Sequence, residues 1–327
     1  LALLRLLAMD SQGAFDLARK ALAIDTYDPA ANYYYGLAAR RLGRLDDARD
    51  GVEVAAQSAE LRGAAWTELA KLALRAGDLA RAAADAERSL DFNTRNLEAR
   101  QLLALVHRLR GRGAEARAAL DALLALDPLS PFGRFEKARA EGGEAALRGF
   151  AAGVRNEMPQ ETFLELAAWY HDLGRVAESA HLLELAPPTA EVLNWRARRE
   201  ARDAEATALL QKADEASPER VFPFRPESAE VLRWATSRSS SWRPRYYLGL
   251  VHWGVDNLDE ARRLFDECGD APEYAPFYAA RALVFEGVSR ERSMADLERA
   301  ARLDPAQWRF GRMLAARRLR QGAVAAA

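Results

Sequence analysis

Apolar residues recur at helical spacing along almost the whole chain, with polar residues filling the faces between them. Over residues 63–96, Trp66, Leu69, Ala70 and Ala73 share one helix face, and Leu79, Ala82, Ala83, Ala86 and Leu90 share another. Gly77-Asp78 separates the two runs as a turn. The stretch predicts a helical hairpin whose contact face is mostly alanine, so that two backbones approach closely while Trp66 and Leu69 fill the space beside them. Such a hairpin cannot bury its own apolar surface and needs similar neighbours on both sides.

The neighbours are present at a fixed interval. Gly43, Gly77 and Gly111 stand 34 residues apart, each at a turn. Ala14, Ala48, Ala82 and Ala116 keep that interval on second helices, as Ala2, Gly36, Ala70 and Ala104 do on first helices. Asp127-Pro128 closes one copy and Asp304-Pro305 a later one. A helix-turn-helix period of this length with small residues at the close-contact points resembles the tetratricopeptide repeat. That resemblance implies an all-α fold, a TPR-like α-α superhelical solenoid built one unit at a time.

In chain order, residues 1–28 make a partial repeat, and complete ones follow at 29–62, 63–96 and 97–130. The unit at 131–159 is shorter, with Gly142-Gly143 at its turn and Pro159 expected to stop its second helix. Residues 160–193 return to register, Pro187-Pro188 breaks the chain, and 191–200 with 204–216 form a hairpin without a turn glycine. The run Val221-Phe222-Pro223-Phe224-Arg225-Pro226 cannot be helical throughout, because each proline pushes its predecessor toward extended backbone. Pro226 then suits the first turn of a helix over 227–236, and serines at 237 and 239–241 mark a loop. Residues 242–275 and 276–306 resume the pattern; 308–319 reads as a further first helix, with Gly322 at its turn and 323–327 left of a second. The expected organisation is a solenoid over residues 1–218 and an interrupted segment over 219–327, with an irregular joint near 219–241 where the solenoid changes direction. Leu1-Ala2 match the middle of a first helix, so the chain is expected to extend N-terminally.

The interrupted half carries a second resemblance. Phe222-Pro223-Phe224-Arg225, Trp234-Ala235, Tyr246-Tyr247-Leu248 and Ala275-Pro276-Phe277-Tyr278 look like the C-terminal repeat region of certain large bacterial proteins. In those, a β-sandwich domain of uncertain function associated with carbohydrate metabolism precedes the repeats. The resemblance implies such a module on the N-terminal side; its chemistry falls on no residue of the present sequence.

Composition narrows the function. The 327 residues are half apolar and 29% charged, with net charge −1, so no global basic footprint points to nucleic acid or to an acidic membrane. One cysteine, Cys268, excludes an internal disulfide and any CxxC motif, and its repeat position suggests a packed thiol. No apolar run reaches the roughly 18 residues that span a bilayer, and the cysteine count fits the cytoplasm. There is no phosphate-binding loop, dinucleotide fingerprint, HExxH or GxSxG. His107 and His252 fall on first-helix faces where an aromatic packs, His171 sits near a helix end, and His181 on a second helix is expected to face outward. Acidic pairs such as Asp46-Asp47 occur at helix starts, where they meet the dipole. No catalytic, cofactor or metal residue is assigned, and this fragment is read as not an enzyme.

Function is therefore sought on the concave face lined by first helices. By phase it presents Tyr33, Tyr34, Arg40 and Arg41, then Thr67, Glu68, Lys71 and Arg75, then Gln101, Leu105 and Arg108. The arginines recur near the repeat period and are expected to stack into a basic stripe. Guanidinium forks there suit an acidic peptide or a carboxylate terminus; equally, arginine near a helix C-terminus offsets the macrodipole. The carboxylate clamp known in this repeat family is doubtful, since its sites hold Tyr33, Leu37 and Glu68. A second candidate surface is the aromatic patch of Phe224, Trp242 and Tyr246, suited to a sugar or a partner, or to plugging the joint. The leading function is a non-catalytic scaffold binding a polypeptide in the groove. The alternative is an accessory region of a larger carbohydrate-active protein, packing against its own N-terminal domain.

Overall fold

The computed structural model describes residues 1–320 and contains twenty α-helices; no strand occurs among the described residues. The chain falls into two compact units, one over Leu1–Pro187 and one from Pro188 onward. In the first unit, α1 (Ala2–Leu7) precedes α2 (Ser11–Leu22), and hairpins follow as α3 (Pro29–Arg41) with α4 (Leu45–Ala55) and α5 (Arg62–Arg75) with α6 (Leu79–Phe92). They continue with α7 (Leu97–Leu109) and α8 (Gly113–Leu126), α9 (Pro131–Glu141) and α10 (Gly143–Ala152), then α11 (Pro159–Asp172) and α12 (Val176–Leu185). The second unit holds α13 (Ala190–Arg199) with α14 (Asp203–Glu215), the unpaired α15 (Pro226–Thr236), α16 (Trp242–Gly254) with α17 (Leu258–Glu267), α18 (Ala275–Phe285) with α19 (Arg290–Leu303), and α20 (Trp308–Arg320). Within each unit the helices pair and stack as a TPR-like α-α solenoid does. The expected remnant over 322–327 lies outside the described residues.

Local chemistry sets the boundaries. Asp28 caps α3 by accepting from the Ala31 amide at 2.6 Å, Asp78 caps α6 through Arg81, and Asn96 caps α7 through Ala99. Each regular turn is closed by an amide that reaches five residues back: Arg44 to the Ala39 carbonyl, Asp78 to Ala73 and Arg112 to His107, all at 2.9 Å. This closure puts the preceding residue in the left-handed region. Gly43, Gly77, Gly111 and Gly174 supply it at φ between +70° and +83°, whereas Met9 and Asp256 are forced there at +61°. Pro159 does not end a second helix as expected; α10 stops at Ala152, and Pro159 opens α11, where its missing N–H has no helical partner to lose.

Small residues let the paired helices touch. A Cβ added to Gly51 on α4 would stand 2.7 Å from the Asn32 carbonyl oxygen on α3, closer than real contacts allow. Thr67, expected on the open face, is buried instead: its hydroxyl lies 2.9 Å from that of Ser89 and accepts from Asn96 Nδ2 at 2.8 Å, tying α5, α6 and the entry to α7. Leu105, also expected there, is fully buried.

At the irregular segment, residues 221–225 belong to no helix, and α15 packs against both α13 and α16. The Trp195 indole N–H donates to Ser228 Oγ at 3.1 Å, and that hydroxyl donates to Glu191 at 2.6 Å, all buried. Cys268 is a packed thiol, its Sγ 3.3 Å from the Leu264 carbonyl, and burial pushes it up to about 12. His181 meets the Phe135 ring edge-on at 6.4 Å rather than facing fully outward.

Asp256 is exposed and sits in the left-handed region that glycine adopts without strain. Asp256→Gly is expected to stabilise the second unit by roughly 0.5–1 kcal/mol, read as a higher urea midpoint at unchanged slope. His107 and His252 are buried, and burial holds both imidazoles below their ordinary value. The unfolded chain therefore binds more protons in this range, and their stabilisation, complete above about pH 6.5, is lost as pH falls through the window beneath it. The urea midpoint should hold above about pH 6.5 and drop as pH falls below it, and His252→Gln should flatten part of that drop.

Candidate functional site

The ends of the first helices in the first unit meet in a charged cluster. Arg40, in the last turn of α3, lies 3.2 Å from Glu68 on α5 and pairs closely with Asp172, the last residue of α11. Lys71 on α5 is shared between Glu68 at 2.8 Å and Glu98 on α7 at 2.6 Å. Glu98 also accepts from the Trp169 indole N–H at 3.3 Å. Arg75 reaches Asp172 more loosely, at 3.8 Å. Residues from α11 thus reach across to α3, α5 and α7.

A second cluster lies deeper in the same unit. Arg108, in the last turn of α7, pairs with Glu136 on α9 at 2.7 Å and with Glu178 on α12 at 2.9 Å. The Tyr170 hydroxyl donates to Glu136 at 2.5 Å. Burial works against the Arg108 charge, and Glu136 and Glu178 more than offset it, so its pKa rises. Arg40 and Lys71 follow the same pattern, burial being outweighed by Glu68 together with Asp172 or Glu98.

The expected basic stripe is therefore a ladder of ion pairs. Arg40, Lys71, Arg75 and Arg108 all occupy first helices as read from phase, but each already faces a carboxylate from another helix or the next turn. Glu68, expected to be exposed, is buried between Arg40 and Lys71. Arg41 is exposed and donates to the Leu6 carbonyl at 2.9 Å. Tyr33 and Tyr34 are half-buried and meet edge-on at 5.7 Å; burial, then Glu68, pushes the Tyr33 phenol up to about 12. Gln101 is half-buried on α7. Sequence phase missed Glu98, Glu136, Trp169, Asp172 and Glu178; among the residues it did name, only the spacing of Glu68 before Lys71 hinted at pairing.

The aromatic patch separates into parts. Tyr246 lies in the core among Trp242, Tyr247, Phe265, Tyr274 and Phe277, only 2% exposed, so it packs the second unit and presents no face to a ligand. Trp242 is half-buried, with Tyr274 stacked 6.4 Å away and the Arg243 guanidinium 4.9 Å from its ring. It lines an open cavity of about 380 Å³ with Glu219, Glu273 and Tyr274. Phe224 is exposed, capped by Arg225 at 4.4 Å. No group of three or more His, Cys, Asp or Glu side chains placed to hold a metal occurs among the described residues, and no described helix is long and apolar enough to cross a membrane.

No protein-family model and no curated protein matches the chain. Among solved structures, MamA aligns with 62% of this chain and 95% of its own at 16% identity and a TM-score of 0.35. A tetratricopeptide repeat protein from Parabacteroides merdae aligns with 88% of this chain and 97% of its own, at 14% identity and a TM-score of 0.30. Yeast Tom70 aligns with 92% of this chain and 60% of its own, at 14% identity and a TM-score of 0.42. The fold description rests on the stacked hairpins themselves.

Truncating Arg108 would leave Glu136 and Glu178 buried without their cation. Arg108→Ala is expected to destabilise the chain by about 3 kcal/mol, measured by urea denaturation, and adding Glu136→Gln should recover part of the loss.

Proposed function

We propose that the chain is an interaction scaffold whose first unit holds an acidic polypeptide segment at the Arg40–Lys71–Arg75 cluster. The observation that carries this is the placement of Asp172. Its carboxylate, about two-fifths exposed, sits against guanidinium groups from two other first helices. It stands at the C-terminus of α11, where the helix dipole disfavours a negative charge. The arginines offset that penalty, so the pocket between them is a place that accepts a carboxylate. An acidic side chain or a chain terminus from a partner has the same chemistry. Tyr33 and Trp169 flank the cluster as amphipathic contact surface.

A second reading, an accessory role against a domain of the same polypeptide, is favoured by α1. Leu3, Leu4 and Leu7 are exposed along it and Leu1 just before it, an apolar face of the kind that a packed neighbour covers.

Asp172→Asn removes the internal competitor while keeping the side-chain shape. Titrated calorimetrically with a short Asp/Glu-rich peptide, this variant should bind about tenfold more tightly than the parent chain, a difference of about 1.4 kcal/mol. Arg40→Met together with Arg75→Met should abolish that gain. Unchanged affinity in Asp172→Asn would remove the reading.

A further inference from the structure

The cavity beside α16 in the second unit combines aromatic rings with carboxylates that the fold leaves unpaired. About 380 Å³ in volume, it is lined by Trp242 and Arg243 at the start of α16, by Glu273 and Tyr274 just before α18, and by Glu219 in the segment after α14. The Trp242 and Tyr274 rings lie 6.4 Å apart and within 25° of parallel, and both are half-buried. The Tyr274 hydroxyl donates to the Pro218 carbonyl at 3.4 Å, and the Glu219 amide donates to Ser217 Oγ at 3.2 Å, so Glu219 is held beside the phenol. Its charge is felt there: burial, then Glu219, pushes Tyr274 up to about 12. Glu219 and Glu273 are both exposed, and among the described residues neither carboxylate takes part in a hydrogen bond or an ion pair.

Two guanidiniums of the same unit show what such a combination holds. Arg281 on α18 lies 5.1 Å from the Phe277 ring and 5.2 Å from the Tyr278 ring, and Asp296 receives it through two bonds at 2.9 and 2.7 Å. Arg299 on α19 lies 4.3 Å from the Tyr278 ring and 3.0 Å from Asp270. Tyr274 stands one helical turn before Tyr278 in the sequence and has two carboxylates for neighbours in the same cavity. Arg243 is the single cation among the lining residues, 4.9 Å from the Trp242 ring, and the carboxylates outnumber it. The start of α18 favours a carboxylate at Glu273. That gives no reason for two aromatic rings left part-exposed beside it, since ring surface facing water is itself unfavourable.

We propose that this cavity is a binding site for an arginine side chain of a partner polypeptide, its guanidinium laid on Tyr274 and bonded to Glu219 and Glu273. A planar guanidinium both stacks on an aromatic face and forks onto a carboxylate, whereas an ammonium meets them only as a point charge. Both carboxylates face solvent, so a side chain from outside reaches them without any opening of the fold. The occupant is opposite in charge to the acidic segment proposed for the first unit, and the two sites share no residue.

The test titrates the full chain calorimetrically with acetylated, amidated tetra-arginine and tetra-lysine peptides at low salt, where surface charge is least screened. Tetra-arginine should bind the parent chain more tightly than tetra-lysine, and Glu219→Gln with Glu273→Gln should lower its affinity at least about tenfold. Because both residues are exposed, that double variant should keep the parent's urea midpoint, which separates loss of the site from loss of the fold. Asp50→Asn with Glu60→Gln, equally exposed but in the first unit, should leave the affinity unchanged. Unchanged affinity in Glu219→Gln with Glu273→Gln, or an equal loss in the first-unit control, would overturn the site. Tetra-lysine binding as tightly as tetra-arginine would overturn the guanidinium assignment. Cellotetraose bound more tightly than either peptide, and still bound with both glutamates replaced, would overturn the polypeptide one.

Discussion

A helical hairpin leaves one apolar side bare until another hairpin lies on it, and everything else in each unit follows from that requirement. Stacking works only if the two helices of a pair come close enough to present a continuous wall. Gly36 and Gly51 meet the facing backbone and Val52 so tightly that a single added carbon would collide. The turns serve the same end: the left-handed residue reverses the chain in the fewest steps and fixes how the second helix lies on the first. Where a hairpin is interrupted, as at α15, the buried Trp195–Ser228–Glu191 chain ties the helix to α13.

Once the stack exists, its long arginines have to end somewhere. Their stems lie along apolar surface and their heads find carboxylates on other helices, which offsets the desolvation of both charges. Arg281 with Asp296 is the most complete instance, a planar pair buried between Phe277 and Tyr278. Arg40 with Asp172 is the most open. The two mark the ends of a range from closed to shared, and the proposed peptide binding sits at the open end of it.

Much of this was legible in the sequence, and the parts that were not have physical reasons. The period of the glycines and alanines reports contacts between adjacent helices, so the hairpins and the turns at Gly43, Gly77 and Gly111 could be read directly, and the prolines marked the break in helix over 221–225. Met9 and Asp256 hold the same left-handed turn without the glycine that signals it. Thr67 has the phase of an open-face residue, but its hydroxyl is drawn into the Ser89–Asn96 network. The pairing of Arg40 with Asp172 spans 132 positions and depends on how hairpins accumulate curvature, which no local pattern encodes. The stripe of cations was therefore visible, while the anions that complete it were not. Tyr246 was ambiguous for a related reason: a tyrosine at a core phase and one at a ligand-facing phase look alike until neighbouring rings close around it.

The lone thiol of the chain has a consequence for how the molecule reports on itself. Cys268 is sealed beneath α17, its thiol held far from the thiolate form that reacts with alkylating reagents. Every modification of that atom must then wait for the surrounding helices to part. The protein carries its own internal clock for breathing of the α16–α17 pair, read out as the mass that an alkylating reagent adds at one known position.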